Sequence, residues 1–286
     1  MADTNNNGKT ELSDSSIPER VVIKVDGKQE PKAPKRVLCI NAHPDDQEFS
    51  VGGTLAKWAR AGTEIITVVI TSGDAGSNDR TDVTMTKTKL AEIREVEQRN
   101  ASTVLGVQDN VFLHYGDGTL QPTLDLRRDL TRLIRKYEPD AVICGDPTAR
   151  FYGNGYMNHP DHRAAGDAAC DAVFPSAGTK FIFPELLMEG YEPHEVSRVF
   201  LHGSEKADVW VDISETLEIK VRALRQHLSQ IGDWDPLERM QEWAKDEGKD
   251  GNVPYGESYR LMILKEEKPE EEEKREEKAA FAEAEL

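Results

Sequence analysis

Cysteine is scarce in this 286-residue chain: Cys39, Cys144 and Cys170 form no CxxC pair and leave an odd one over. That pattern argues against a disulfide framework, and two of the three lie in apolar runs where a small core residue is the ordinary reading. No apolar stretch reaches the length of a membrane span, so no membrane insertion is expected. The first residues, MADTNNNGKTELSDSS, lack an apolar h-region, so the expected setting is reducing and cytoplasmic. Basic residues are in deficit, 36 against 53 acids, for a net charge of −17. Such a balance disfavours nucleic acid and anionic lipid as partners. No GxGxxG follows the first apolar run and no GxSxG elbow occurs, which removes the usual dinucleotide and serine-hydrolase fingerprints.

What remains is an alternation of apolar runs and helical patterns between two polar ends. Residues 1–35 are polar, with VVIKV (21–25) as an optional edge strand and PKAPK as a linker. Residues 265–286 hold ten Glu among five Lys/Arg and read as a low-complexity tail, disordered or a solvated helix. Between them, 36–264 is predicted to be one domain. Strands are expected at 36–41, 64–71, 111–114, 141–144, 198–201, 207–211 and 259–264. Helices are expected over 51–61, 87–105, 124–137, after Pro160, and over 215–228. Strands without a polar face, alternating with helices, indicate an α/β, doubly wound, mostly parallel sheet with helices on both faces.

Ligands of such sheets gather beyond the carboxyl ends of the strands. Four segments end there in polar residues: Asn41–Asp46, Thr71–Asp74, His114–Asp117, and a long loop closing on His159-Pro160-Asp161-His162. A single Asp after a strand is usually a turn former or cap. Four such segments, with histidines among them, point to a site. His43, Asp46 and His162 compose a two-histidine, one-carboxylate Zn²⁺ site with a position left for water. Asp45 points away from its neighbour Asp46 and suits a general base, its alternative being a helix N-cap. His159 is a fourth ligand or a donor to a developing oxyanion, held by Asp161; the donor role leaves the site open.

These segments resemble the PIG-L/LmbE-like zinc-dependent N-deacetylases. The resemblance rests on AHPDDQEFSVGGT (42–54), TSGDAGS (71–77), LAEIREVEQRNASTVLGV (90–107), HYGDGTL (114–120), HPDHR (159–163), HLSQ (227–230) and GESYRLM (256–262). It implies a Rossmann-like fold and metal-assisted amide hydrolysis of an N-acetylated amino sugar, with His43, Asp46 and His162 on Zn²⁺ and Asp45 as base. His159, paired with Asp161, becomes the oxyanion-side residue. Gln47 stands where the family often has Glu, which gives Glu48 the role of carboxylate behind the ligands. Ser72 and Asp74 replace longer side chains common in the family. Arg94, with Asp74 and Asp117 as lining, is the candidate for substrate contact, the alternative being a solvated helix charge paired with Glu97 or Gln98. The same constellation also fits an amidase cutting a sugar or thiol conjugate. A non-catalytic sugar-binding module is disfavoured by the complete acid–histidine set. Specificity is expected from loops 73–86 and 146–158, where Phe151, Tyr152 and Tyr156 stack on a sugar or anchor the loop. Homo-oligomers are compatible with this reading. Trp234 and HLSQ (227–230) are placed in the core or at its boundary, the alternatives being the lining of the pocket or of an interface.

Overall fold

The computed structural model describes residues 30–76 and 81–265. The optional strand at 21–25 and the tail from 266 onward lie outside them. The first strand β1 (Arg36–Asn41) leads through short helices α1 (Asp46–Ser50) and α2 (Gly52–Arg60) to β2 (Glu64–Thr71). Then come α3 (Lys87–Leu105), β3 (Asp109–Tyr115), α4 (Leu124–Tyr137) and β4 (Ala141–Gly145). A small hairpin, β5 (Phe151–Tyr152) and β6 (Tyr156–Met157), precedes α5 (Pro160–Asp171), a kinked segment (Ala172–Ala177) with Phe174 in extended backbone, and α6 (Glu185–Met188). The chain ends with β7 (Arg198–His202), β8 (Val209–Asp212), α7 (Leu217–Leu224), α8 (Leu228–Ile231), α9 (Leu237–Gly251) and β9 (Gly256–Ile263).

Seven strands form one sheet in the order β3-β2-β1-β4-β7-β9-β8. The pairs from β3 through β7 are parallel, and β9 runs antiparallel to both of its neighbours. Alternate residues of the strands feed two cores. Val37, Cys39, Ile143 and Phe200 pack with Trp58, Leu105 and Leu224 on one face. Leu38, Ile40, Val142 and Cys144 pack with Leu126, Leu130 and Ala168 on the other. Burial on both faces is why these strands carry no polar alternation.

Local chemistry sets the helix ends. Thr86 and Thr123 cap α3 and α4, accepting from Lys89 N and Leu126 N at 3.2 Å each. Gly106, at φ 85°, closes α3 in the left-handed conformation that a β-carbon disfavours. The helix expected over 51–61 is α2, preceded by the separate short α1, and the Glu257 carboxylate of β9 accepts Gly53 N and Thr54 N at the start of α2. The helix expected over 215–228 breaks, leaving His227 between α7 and α8. Along α3, Ile93 and Val104 are only partly buried, and the buried face includes Arg94, Glu97, Gln98 and Ser102. That face is polar because it borders the strand ends where charged groups gather.

Candidate active site

The chain leaves β1 and β4 in opposite directions across the sheet, so their carboxyl ends open a crevice between them. The turn after β1 carries His43, Asp45 and Asp46, and the start of α5 carries His159, Asp161 and His162. His43 Nδ1 lies 3.2 Å from His162 Nε2 and 3.5 Å from Asp46 Oδ2; His162 Nε2 lies 3.0 Å from Asp46 Oδ1. Ligand atoms about 2.0 Å from a tetrahedral zinc stand about 3.3 Å apart, and the two imidazole nitrogens have that spacing, with one Asp46 oxygen near each.

The remaining ring nitrogens are held from behind. His43 Nε2 faces Asp117 Oδ1 at 3.1 Å and Asp161 Oδ2 at 3.3 Å, and His162 Nδ1 faces Asn158 Oδ1 at 3.3 Å. Backing acceptors of this kind fix which nitrogen is free to ligate. Two further sets of donor atoms also cluster within 4.8 Å: His43, His159 and His162, and His43, Asp117 and Asp161. In the second set the carboxylates are already engaged. Asp161 accepts Gly118 N at 2.7 Å and Leu120 N at 3.2 Å, and Asp117 accepts Ala75 N at 2.7 Å. Asp117, expected to line the site, contacts the His43 ring. The pairing expected between Asp161 and His159 is also different in form: the Asp161 backbone N–H donates to His159 Nδ1 at 3.2 Å, while its carboxylate turns to His43. The carboxylate is drawn there by two loop N–H groups, that of Gly118 and that of the buried Leu120, the second of which would otherwise lack an acceptor.

Electrostatics follow from this crowding. Burial pulls the His43 imidazole down, but Asp46, Asp117 and Asp161 outweigh it and push it up to about 12. Asp46 is raised by burial and, against that, held well below the carboxylate range by His162 and His43. Burial raises Asp45 to about 6, with Arg94 opposing and Asp46 adding to the rise. His159 is pulled down by burial and by the two neighbouring histidines. Three carboxylates around one imidazole leave negative charge that suits a cation.

Asp45 occupies the left-handed region at φ 87° and makes no side-chain cap, so it is not the ordinary N-cap that was the alternative. Its N–H donates to Gln98 Oε1 at 2.9 Å and its carboxylate accepts from Arg94 Nη2 at 3.1 Å. Arg94 is 4% exposed and also donates to Gly73 O and Pro44 O. It is therefore no solvated helix charge, and it is not paired with Glu97 or Gln98. Gly73 and Gly76 leave the room it fills, since a β-carbon at either would come within 2.6 Å of Arg94 Nη1. Asp74 stands at the rim, 3.8 Å from Lys87 Nζ.

Glu48 is fully buried and accepts from Gln47 Nε2 at 2.9 Å, Gln98 Nε2 at 3.0 Å and His227 Nε2 at 3.2 Å. In the loop after β4, the Tyr152 hydroxyl donates to Gly203 O and anchors the hairpin, whereas Phe151 and Tyr156 are more than half exposed. Trp234 is 45% exposed, outside the core. Sequence reasoning missed Asn158, although its place beside HPDH was a usable signal. It also missed His202, whose ring borders a cavity of about 30 Å³ behind Asp46 and His162; an isolated histidine after a strand carries no such signal.

Among the described residues no helix is long and apolar enough to cross a membrane. The family model described as PIG-L, GlcNAc-PI de-N-acetylase, matches residues 38–173. The diacetylchitobiose deacetylase of Thermococcus kodakarensis is 34% identical over 233 residues, 80% of this chain and 83% of that protein. A probable N-acetyl-alpha-D-glucosaminyl L-malate deacetylase 2 of Bacillus anthracis is 28% identical over 206 residues, 70% of this chain and 83% of that protein. The structure of N,N'-diacetylchitobiose deacetylase from Pyrococcus horikoshii, complexed with its inhibitor MPG, superimposes with a TM-score of 0.77 at 34% identity, covering 85% of this chain and 90% of that one. With its fold and its sequence both similar to these proteins, the chain belongs to the PIG-L, GlcNAc-PI de-N-acetylase family.

Proposed function

We propose that the chain is a zinc-dependent hydrolase that removes the acetyl group from an N-acetylated amino sugar in the cytoplasm. The observation that carries this reading is the gathering of His43 Nδ1 and His162 Nε2, 3.2 Å apart, against the two oxygens of Asp46, at 3.5 Å from the first and 3.0 Å from the second, beside the Asp45 carboxylate. Two imidazole nitrogens and a carboxylate so grouped suit Zn²⁺, which when bound polarises an amide carbonyl and acidifies water. The names of the matched relatives, deacetylases of N-acetylated sugars, support the substrate class.

Each of the chain's own groups has a task. Asp45 accepts the proton of the attacking water, its carboxylate held by Arg94 and its backbone by Gln98. Asp74, together with Asp117, is the proposed contact for sugar hydroxyls, while Arg94, buried and donating to Asp45, Gly73 O and Pro44 O, serves by holding the base. His159 Nδ1 accepts a backbone N–H, so in the neutral ring the proton rides on Nε2. That N–H is the donor offered to the carbonyl oxygen as negative charge develops. Asp161 and Asp117 keep the His43 ring oriented, and the proton taken by Asp45 is available to the departing amine.

The test is acetate release from N,N'-diacetylchitobiose, N-acetylglucosaminyl inositol and amino-sugar conjugates, with and without a chelator. Asp45→Asn should retain the metal while turnover falls by about 10²- to 10⁴-fold. Absence of acetate release from every N-acetylated sugar, with cleavage of a thiol-conjugate amide instead, transfers the assignment to the amidase reading. Equal loss of metal and turnover in Asp45→Asn defeats the base assignment.

A further inference from the structure

His227 reaches the site from a different part of the chain than any residue given a task above. It lies between α7 and α8, fully buried, on the HLSQ segment. Its Nε2 is 3.2 Å from Glu48 Oε2, and because a carboxylate only accepts, the ring proton sits on Nε2. The other oxygen, Glu48 Oε1, accepts from Gln98 Nε2 at 3.0 Å. Gln98 Oε1 in turn accepts the Asp45 backbone N–H at 2.9 Å. His227, Glu48 and Gln98 are each 0% exposed.

The chain of donors has a mechanical consequence. A glutamine amide can present either end to Asp45, and only the oxygen end accepts its N–H. Glu48, as an acceptor, holds the nitrogen end of Gln98 away from Asp45. Glu48 is itself fixed only if both of its oxygens are engaged, and His227 engages the second. Asp45 needs the support because its left-handed backbone costs about 1 kcal/mol or more for a residue with a β-carbon. A buried carboxylate is costly unless donors meet its oxygens, and Glu48 has Gln47 and Gln98 on one oxygen and His227 alone on the other, so His227 is the group that holds that second oxygen in place behind the strained turn.

We infer that His227 is a positioning residue for Asp45, acting through Glu48 and Gln98. The inference rests on the deacetylase reading for its kinetic test and on the backbone geometry for a second one. With zinc-loaded full-length protein and N,N'-diacetylchitobiose, His227→Phe should lower kcat by about 10- to 100-fold at unchanged KM and zinc content. His227→Gln, which keeps a donor toward Glu48, should recover most of the loss. Gln98→Met should reproduce it, and the combination His227→Phe with Gln98→Met should lose no more than Gln98→Met alone, because one chain of contacts is being cut twice. Full kcat in folded His227→Phe, losses that multiply in the combined variant, or losses that track zinc content overturn the inference. If His227→Phe does not fold, His227→Met, which also lacks the donor, replaces it in the same comparison. Hydrogen exchange at the Asp45 amide supplies a readout free of activity: protection present in the parent chain should disappear in the His227 and Gln98 variants while α4 amides keep theirs. Unchanged Asp45 protection overturns the inference even if the parent chain releases no acetate, an outcome that separately defeats the deacetylase reading.

Discussion

Asp161 offers the sharpest quantitative test of how the crevice is built. Its Oδ2 takes Gly118 N at 2.7 Å and faces His43 Nε2 at 3.3 Å, while Oδ1 takes Leu120 N at 3.2 Å. Asp161→Asn preserves shape but turns one oxygen into an NH₂ donor. Placed on the Oδ2 side, that donor would oppose two others; placed on the Oδ1 side, it opposes one. The amide oxygen therefore stays with His43 and Gly118, and Leu120 N–H loses its acceptor. A buried N–H left without one costs about 1–3 kcal/mol. For a domain of this size, each kcal/mol lowers Tm by about 2–4 °C, so a loss near 2 kcal/mol predicts a fall of about 4–8 °C. Because His43 also keeps Asp117 on Nε2, metal affinity should fall by no more than about 10-fold. Asp161→Ala removes all three contacts and should exceed both effects. Differential scanning calorimetry with and without chelator, together with zinc titration, measures them. An Asp161→Asn protein that melts within about 1 °C of the parent refutes the claim that this carboxylate is the acceptor for buried loop amides.

Gly73→Ala places a β-carbon 2.2 Å from Arg94 Nη1 at a residue with φ +65°, so the guanidinium must leave Asp45. Turnover should drop about 10-fold or more and stability by about 1–3 kcal/mol, checked by kcat and a thermal melt. Burial raises the Asp146 carboxyl, but hydrogen bonds from Ser204 and Thr148 outweigh it and hold it below the usual range. A carboxyl depressed in the folded state contributes stability above its unfolded pKa and loses it as pH falls through the folded value. Asp146→Asn should therefore flatten the loss of stability below about pH 4 in acid unfolding curves. Chelation should lower Tm and abolish turnover, and zinc at 1,000 times its Kd should restore about 4 kcal/mol; a melting curve indifferent to chelator and to added zinc counts against the centre.

Much of this architecture is legible from residues alone, and the exceptions share a cause. β1, β2, α3 and α4 fall on the expected residues because each is long, strongly patterned or capped by Thr86 or Thr123. By contrast, α9 buries only Met240, Ala244 and Gly248, a thin stripe among charges. Its Gly248 reads as a helix breaker, yet a β-carbon there would come 2.5 Å from Val253 O, so the glycine serves close packing instead. The meeting of the AHPDD and HPDH segments follows from the rule for strand ends, since β1 and β4 are neighbours. Which carboxylate faces which nitrogen does not follow from it. Asp117 and Asp161 share His43 Nε2, and both are held there by loop N–H groups of Ala75, Gly118 and Leu120 that no side-chain pattern announces. The burial of Arg94 and the union of Glu48 with His227, 179 positions apart, are likewise products of packing across the sheet end.

The left-handed backbone at Asp45 also limits which side chains can stand there. Asparagine and aspartate tolerate that conformation better than other residues with a β-carbon. Alanine at this position would alter the turn as well as the chemistry, whereas asparagine exchanges one oxygen for nitrogen and leaves the turn as it is. Glutamate would bring a longer carboxylate at the same backbone cost, displaced from the place Arg94 and Gln98 define. The turn thus restricts the repertoire at this position to a short carboxylate or its amide, and an evolving or engineered variant that relocates the base must remake the turn first.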